Sequence, residues 1–189
     1  MADLTVLKYS TYATAWNGAQ LPYLTIWLDL DGNGSRDDRL WFEPEYSNGG
    51  YGNGDPNPQA PVALNIWQTW DALNGMWYSD DPVTGPGANA VTLGTYLSLA
   101  GKANATIIDA APGTVGGIRL ASGFASPGDN YNTYIDNVTI GTASGSINYD
   151  FETAAVPEPT ATLFGGLVCG VTGVGVGLRR LLAKPLCDG

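Results

Sequence analysis

Nineteen consecutive residues without a charge, Thr160 to Leu178 (TATLFGGLVCGVTGVGVGL), limit most strongly how this chain can be organised. Wound as an α-helix at 1.5 Å per residue they would reach about 28 Å, close to the ~30 Å hydrocarbon core of a bilayer. Glycines at 165, 166, 170, 173, 175 and 177 make the run a poor helix in water. In lipid, small residues are tolerated because they let helices approach closely. Arg179 and Arg180 follow at once, and basic residues at the end of a span stay on the cytoplasmic side. The expected topology therefore keeps the preceding residues outside the membrane and the C-terminus inside. A buried core helix or strand pair is the competing reading. It fits poorly between Val156-Pro157-Glu158-Pro159 and a double arginine.

Charge divides the chain at the same place. Residues 1–155 hold Lys8, Arg36, Arg39, Lys102 and Arg119 against sixteen carboxylates, whereas residues 156–189 are slightly basic. We therefore expect a body over 1–152, a Pro-rich linker over 153–159, a hydrophobic span over 160–178 and a basic tail over 179–189. The net charge of −10 and the absence of histidine exclude several functions. No His-based triad, imidazole metal site or His proton shuttle is possible. Nucleic acid is not an expected partner, because phosphate contact needs clustered Lys and Arg. Both cysteines, Cys169 and Cys187, lie beyond the linker, so the body folds without disulfides.

The body reads as all-β. Segments 4–9 and 23–30 alternate with a period of two. In the second, Leu24, Ile26, Leu28 and Leu30 share one face and Tyr23, Thr25 and Trp27 the other. Further strands are expected at 39–43, 62–71, 76–79, 105–109, 117–124, 133–140 and 146–151. A short helix is expected from Leu93 to Ala100, with Thr92 as N-cap and Gly101 as its stop. The Gly- and Pro-rich segment 49–61 reads as a long surface loop. Short strands separated by turn signals predict an antiparallel β-sandwich or jelly roll.

Between two of these strands runs Asp29-Leu30-Asp31-Gly32-Asn33-Gly34-Ser35-Arg36-Asp37-Asp38. Asp29, Asp31, Asn33, Ser35 and Asp37 fall at oxygen-ligand positions of a calcium-loop register, with Gly34 where the chain must turn sharply. Leu40 stands where an EF-hand has its bidentate Glu, and the flanks are strands, so the pattern is that of a calcium loop in a β-hairpin. A bare acidic turn is the alternative, since Asp, Asn and Gly form turns unaided. Without an ion, Asp29, Asp31, Asp37 and Asp38 would repel one another, offset in part by Arg36 and Arg39. A structural Ca2+ would remove that repulsion.

Six tryptophans raise the question of core against sugar platform. Most are expected to fill the sandwich. Trp27 and Tyr23, on the outward positions of their strand, are the expected ligand-binding rings, with Tyr46, Tyr51 and Tyr131 in Gly/Asn-rich loops as the next candidates. Among the acids, Asp136 is expected to accept neighbouring backbone amides, with ligation of a second ion as the alternative. Glu43 and Glu45 are interrupted by Pro44, which leaves no paired-carboxylate arrangement for glycoside hydrolysis. Asp80-Asp81 reads as a solvated loop.

Two resemblances add to this. Val156, Pro157, Glu158 and Pro159, a Gly/Leu-rich span, then Arg179 and Arg180 resemble the PEP-CTERM sorting signal, also called the ice-binding protein C-terminal anchor. That resemblance implies export to the envelope of a Gram-negative bacterium, an exosortase-type membrane protease as partner and association with exopolysaccharide matrix. Family members carry an export signal and end soon after the arginines. Here no such signal precedes Leu4, and LLAKPLCDG follows. More weakly, residues 21–46, 65–79 and 117–141 are similar to secreted jelly-roll domains of bacterial surface proteins. Strands usually precede that part, which predicts that Met1 is internal to a longer natural protein. The expected function is a non-enzymatic surface or matrix protein with polysaccharide as ligand. A glycan-active β-sandwich enzyme and a purely structural or adhesive protein remain open alternatives.

Overall fold

Alternation through its centre builds the first strand, β1 (Leu4–Ala15), which turns Leu7, Tyr9, Thr11 and Ala13 inward and Lys8, Tyr12 and Thr14 outward, with bulges against its neighbour between Leu4 and Val6, Lys8 and Ser10, and Ala13 and Ala15. The computed structural model describes residues 1, 3–16, 20–108, 117–123 and 130–151, all within one compact unit, Met1–Phe151. Along the chain follow β2 (Tyr23–Asp29), β3 (Asp38–Phe42), β4 (Trp67–Asp71), β5 (Met76–Ser79), β6 (Val91–Thr92), α1 (Leu93–Ser98), β7 (Thr106–Ile107), β8 (Ile118–Ala121), β9 (Asn132–Thr142) and β10 (Gly145–Tyr149). Among the described residues they form two antiparallel sheets. One has the order β10-β9-β1-β4. The other runs β6-β5-β3-β2, and the far edge of β2 is shared by β7 at its end and β8 at its start.

The inner faces make a single core. Leu7, Tyr9, Trp70 and Val138 from the first sheet cluster with Leu24, Ile26, Leu28, Leu40, Phe42 and Trp77 from the second. Tyr9 meets Phe42 edge-on at 6.1 Å across the interface. The polar ends of these large rings are all bonded inside. Tyr9 Oη donates to the Pro22 carbonyl, Trp70 Nε1 to Thr11 Oγ1 and Trp77 Nε1 to the Ala72 carbonyl, each at 2.8 Å. This is the expected β-sandwich, with the one short helix.

Element boundaries depart from the sequence reading for local reasons. β1 extends to Ala15 because both of its edges are paired, by β9 and by β4. β3 stops at Phe42, since Pro44 opens a 3-10 turn over Pro44–Ser47. The strand expected over 62–71 begins only at Trp67. Asn65 sits at φ 62°, and the Gln68 side chain holds the preceding loop through Ala63 N and the Pro61 carbonyl. Thr92 caps α1 as expected, its Oγ1 accepting from Thr95 N at 3.1 Å. The helix ends at Ser98, earlier than expected, with Gly101 at φ 78° in the next turn. β6 was too short to show any period.

Gly75 shows how closely the β4–β5 turn packs. A Cβ there would lie 2.3 Å from Phe42 Cε2 and 3.0 Å from Ser47 Oγ, and Ser47 Oγ already accepts from Met76 N. Gly75→Ala should therefore lower stability by about 1–3 kcal/mol through overpacking, read as a lower denaturant midpoint at unchanged m-value. Among the described residues no helix is long and apolar enough to cross a membrane. The span 160–178, the motif Val156–Pro159, Arg179 and Arg180 lie outside the described residues.

Candidate functional site

The acidic turn between β2 and β3 is organised by its own side chains. Gly32 and Gly34 both take φ 80°, which lets successive amides point inward. Asp29 Oδ1 accepts from Gly32 N at 2.7 Å and Asp31 N at 3.2 Å, and Asp29 Oδ2 accepts from Gly34 N at 2.7 Å. These amides, that of Gly34 foremost, hold the Asp29 carboxyl below its ordinary pKa. Asp37 Oδ2 accepts from Leu30 N at 2.7 Å, Asp31 from Asn33 N and Nδ2, and Asn33 Oδ1 from Ser35 N at 2.7 Å. Carboxylate oxygens of Asp29, Asp31 and Asp37 come within 4.8 Å of one another. Each carboxylate has about four lone-pair positions, so the amide donors leave room for a hard cation. Asn33 and Ser35 sit exposed on the same turn.

The neighbouring charges fall differently from the sequence reading. Asp38 does not join the loop and is buried in the interior at 4% exposure. Arg39 leaves the loop for Asp80, bonding it through Nε and Nη2 at 3.1 and 3.2 Å, and Trp41 Nε1 donates to the same carboxylate. Asp81 pairs with Lys102 at 3.0 Å. The Asp80-Asp81 segment is thus a bridging element rather than a solvated loop. Asp136 behaves as expected, its Oδ1 accepting from the amides of Asn137 and Phe151.

Trp27 corrects the platform expectation. It lies on the outer face as alternation requires, yet only 4% of it is exposed. The Arg36 guanidinium stacks over its ring at 3.7 Å, with that of Arg39 at 4.9 Å. Period-two reasoning assigns a face but cannot see what covers it. Tyr23 and Tyr131 are half-buried on this side and close enough to interact electrostatically, and burial raises both phenols. From Tyr23 a chain of rings runs through Trp41, Tyr78 and Tyr46 to Tyr51, with centroids 5.2, 6.0, 5.9 and 4.9 Å apart. Trp41 is only 8% exposed, so these rings mainly cover one another.

Glu43 lies at the edge of that ring chain, buried and accepting from Tyr78 Oη. Burial raises its carboxyl above the ordinary value despite the Tyr78 bond, so folding favours the protonated form. Its cost is absent at low pH and grows as pH rises through the ordinary carboxylate value towards the raised folded one. Glu43→Gln keeps an acceptor for Tyr78 and removes the ionisation. In paired melts it should match the parent near about pH 3 and exceed it by a few degrees near about pH 7.

The accessible ring array is elsewhere, on the outer face of the other sheet. Register places Tyr12 of β1 opposite both Trp67 of β4 and Tyr134 of β9. The three rings form a row across adjacent strands, with centroids 5.6 and 6.2 Å apart. Trp67 is 51% and Tyr134 53% exposed. Polar groups on the same face border the row: Ser10 Oγ with Thr69 Oγ1 at 2.8 Å, then Lys8 paired to Asp71 at 3.2 Å. Sequence reading missed this row because its members are more than fifty residues apart. Outward alternation marks Tyr12, but only strand register brings the three together. No family model matches the chain, and no curated protein or solved structure is significantly similar to it.

Proposed function

We propose that this chain is an exported, non-enzymatic surface or matrix protein that binds polysaccharide through the Trp67–Tyr12–Tyr134 row. The supporting observation is the row itself: three rings aligned by strand register, two of them half-exposed, on an open sheet face. Surface rings scattered singly need no explanation, whereas an aligned exposed group marks a binding surface. A pyranose presents C–H groups on its faces and hydroxyls around its rim. The C–H faces suit the negative faces of aromatic rings. The hydroxyls suit Thr69, Lys8 and Asp71 beside the row.

Export rests on Val156–Pro159, the charge-free span 160–178 and Arg179-Arg180. On this reading an exosortase-type protease handles the tail at a Gram-negative envelope, with the body outside and jelly-roll-like in type. The turn at Asp29–Asp37 holds a structural Ca2+. Calcium should then raise the melting temperature of the intact chain over chelator. The gain would be about 2.7 kcal/mol at roughly a hundredfold excess over Kd, and Asp29→Asn with Asp31→Asn should abolish it.

The function is tested by pull-down of the purified chain on a panel of insoluble and immobilised polysaccharides, with reducing-sugar release assayed in parallel. Saturable retention without release supports the proposal. Sugar release would replace it with the enzyme reading, and no retention on any matrix would replace it with a purely structural role.

A further inference from the structure

One group of side chains, buried at Asp38 and Lys102 and 31% exposed at Asp81, has no part in either surface. Lys102, in the turn after α1, reaches Asp38 Oδ2 at the start of β3 at 2.9 Å and Asp81 Oδ2 after β5 at 3.0 Å. The Asp38 and Lys102 side chains are 2% and 10% exposed. Asp38 Oδ2 also accepts from Tyr96 Oη at 2.6 Å, and Asp38 Oδ1 from its neighbour Arg39 N at 2.8 Å. Backbone bonds fix the lysine turn on both sides, Lys102 N to the Leu99 carbonyl and Ala105 N to the Lys102 carbonyl, each at 3.1 Å.

We propose that Lys102 and Asp38 join in an intramolecular amide bond, with Asp81 as proton carrier. The arrangement supplies what the condensation needs and a simple ion pair does not. The amine and the carboxyl come from segments sixty-four residues apart and are held in contact, which makes their effective concentration very high. A second carboxylate touches the nitrogen that must lose protons. Tyr96 Oη sits at the oxygen that must leave, while Arg39 N–H supports the charge developing on the other oxygen. Burial of the Asp38 and Lys102 side chains limits the water that could reverse the step by hydrolysis.

The step balances without a co-reactant. Starting from the ammonium and the carboxylate, Asp81 takes a proton from Nζ, the nitrogen lone pair forms a bond to Asp38 Cγ, and the Cγ–Oδ2 bond breaks. Oδ2 leaves as water carrying two protons that came from Nζ, passed through Asp81 and Tyr96. The product is a neutral amide linking β3 to the α1–β7 turn in a body that has no cysteine.

Mass spectrometry of the full purified chain under denaturing conditions is the test. The expected mass is one water below that of the sequence. Trypsin should leave Asp37-Asp38-Arg39 attached to the 40–119 peptide, uncut at Lys102. Asp81→Asn, checked for its fold by circular dichroism, should restore most of the missing water, and Lys102→Arg all of it. An intact mass equal to the sequence mass after prolonged incubation overturns the proposal. So does a water loss that maps to a linear peptide holding Asp31-Gly32, which would mark succinimide formation in the acidic turn.

Discussion

Trp67→Ala should cost the chain its retention on the polysaccharide that the parent binds, while leaving its melting temperature nearly unchanged. The central ring of a small binding face typically contributes at least about 2 kcal/mol, which is roughly a 30-fold loss of affinity. Trp67 carries the largest ring of the row and is 51% exposed, so truncation removes contact surface rather than core. Its place on edge strand β4 limits the stability cost to about 1 kcal/mol or less. Tyr134→Ala should weaken binding in the same sense. Tyr51→Ala, on the opposite face of the sandwich, should leave binding intact. Binding lost with Tyr51→Ala and kept with Trp67→Ala would move the site to the ring chain around Trp41.

The second large effect is on stability. Trp77→Ala should destabilise the body by about 3–5 kcal/mol, the range for emptying a buried aromatic site. Trp77 is fully buried between the sheets, 5.5 Å from Phe42 by ring centroid, and its Nε1 bonds the Ala72 carbonyl. Truncation opens a cavity and removes one of the two donors on the Ala72 carbonyl, which keeps Gly75 N at 3.2 Å. For a body of this size the melting temperature should fall by roughly 6–20 °C. Against a total stability of about 5–15 kcal/mol, a loss near the upper figure would leave a substantial unfolded fraction at growth temperature. A fall of only a degree or two would mean that the two sheets do not pack on Trp77 as described.

These two tryptophans mark the border of what the chain discloses by itself. Alternation in residues 4–9 and 23–30 is a property of neighbours two apart, so strand existence, inward Leu24, Ile26 and Leu28, and the two-layer all-β class were readable directly. The same holds for the Thr92 cap and the tight Asp29–Asp37 turn, whose bonds run over five residues or fewer apart from that closing Asp37 to Leu30. Local chemistry determined them.

What the sequence could not decide was every feature that depends on register or on cover from a distant segment. Trp27 and Trp67 occupy equally outward positions, yet two arginines from the β2–β3 turn and β3 close over the first and nothing among the described residues covers the second to the same degree. Asp37 and Asp38 are adjacent, and a strand pleat sends one to the acidic turn and the other to Lys102 and Tyr96. Tyr12, Trp67 and Tyr134 become one row only because β1 pairs both β4 and β9 with those residues opposite each other. Period-two patterning states which side of a strand a residue is on. Only the tertiary arrangement of strands states what it meets there, because pairing register is set by packing across the whole core.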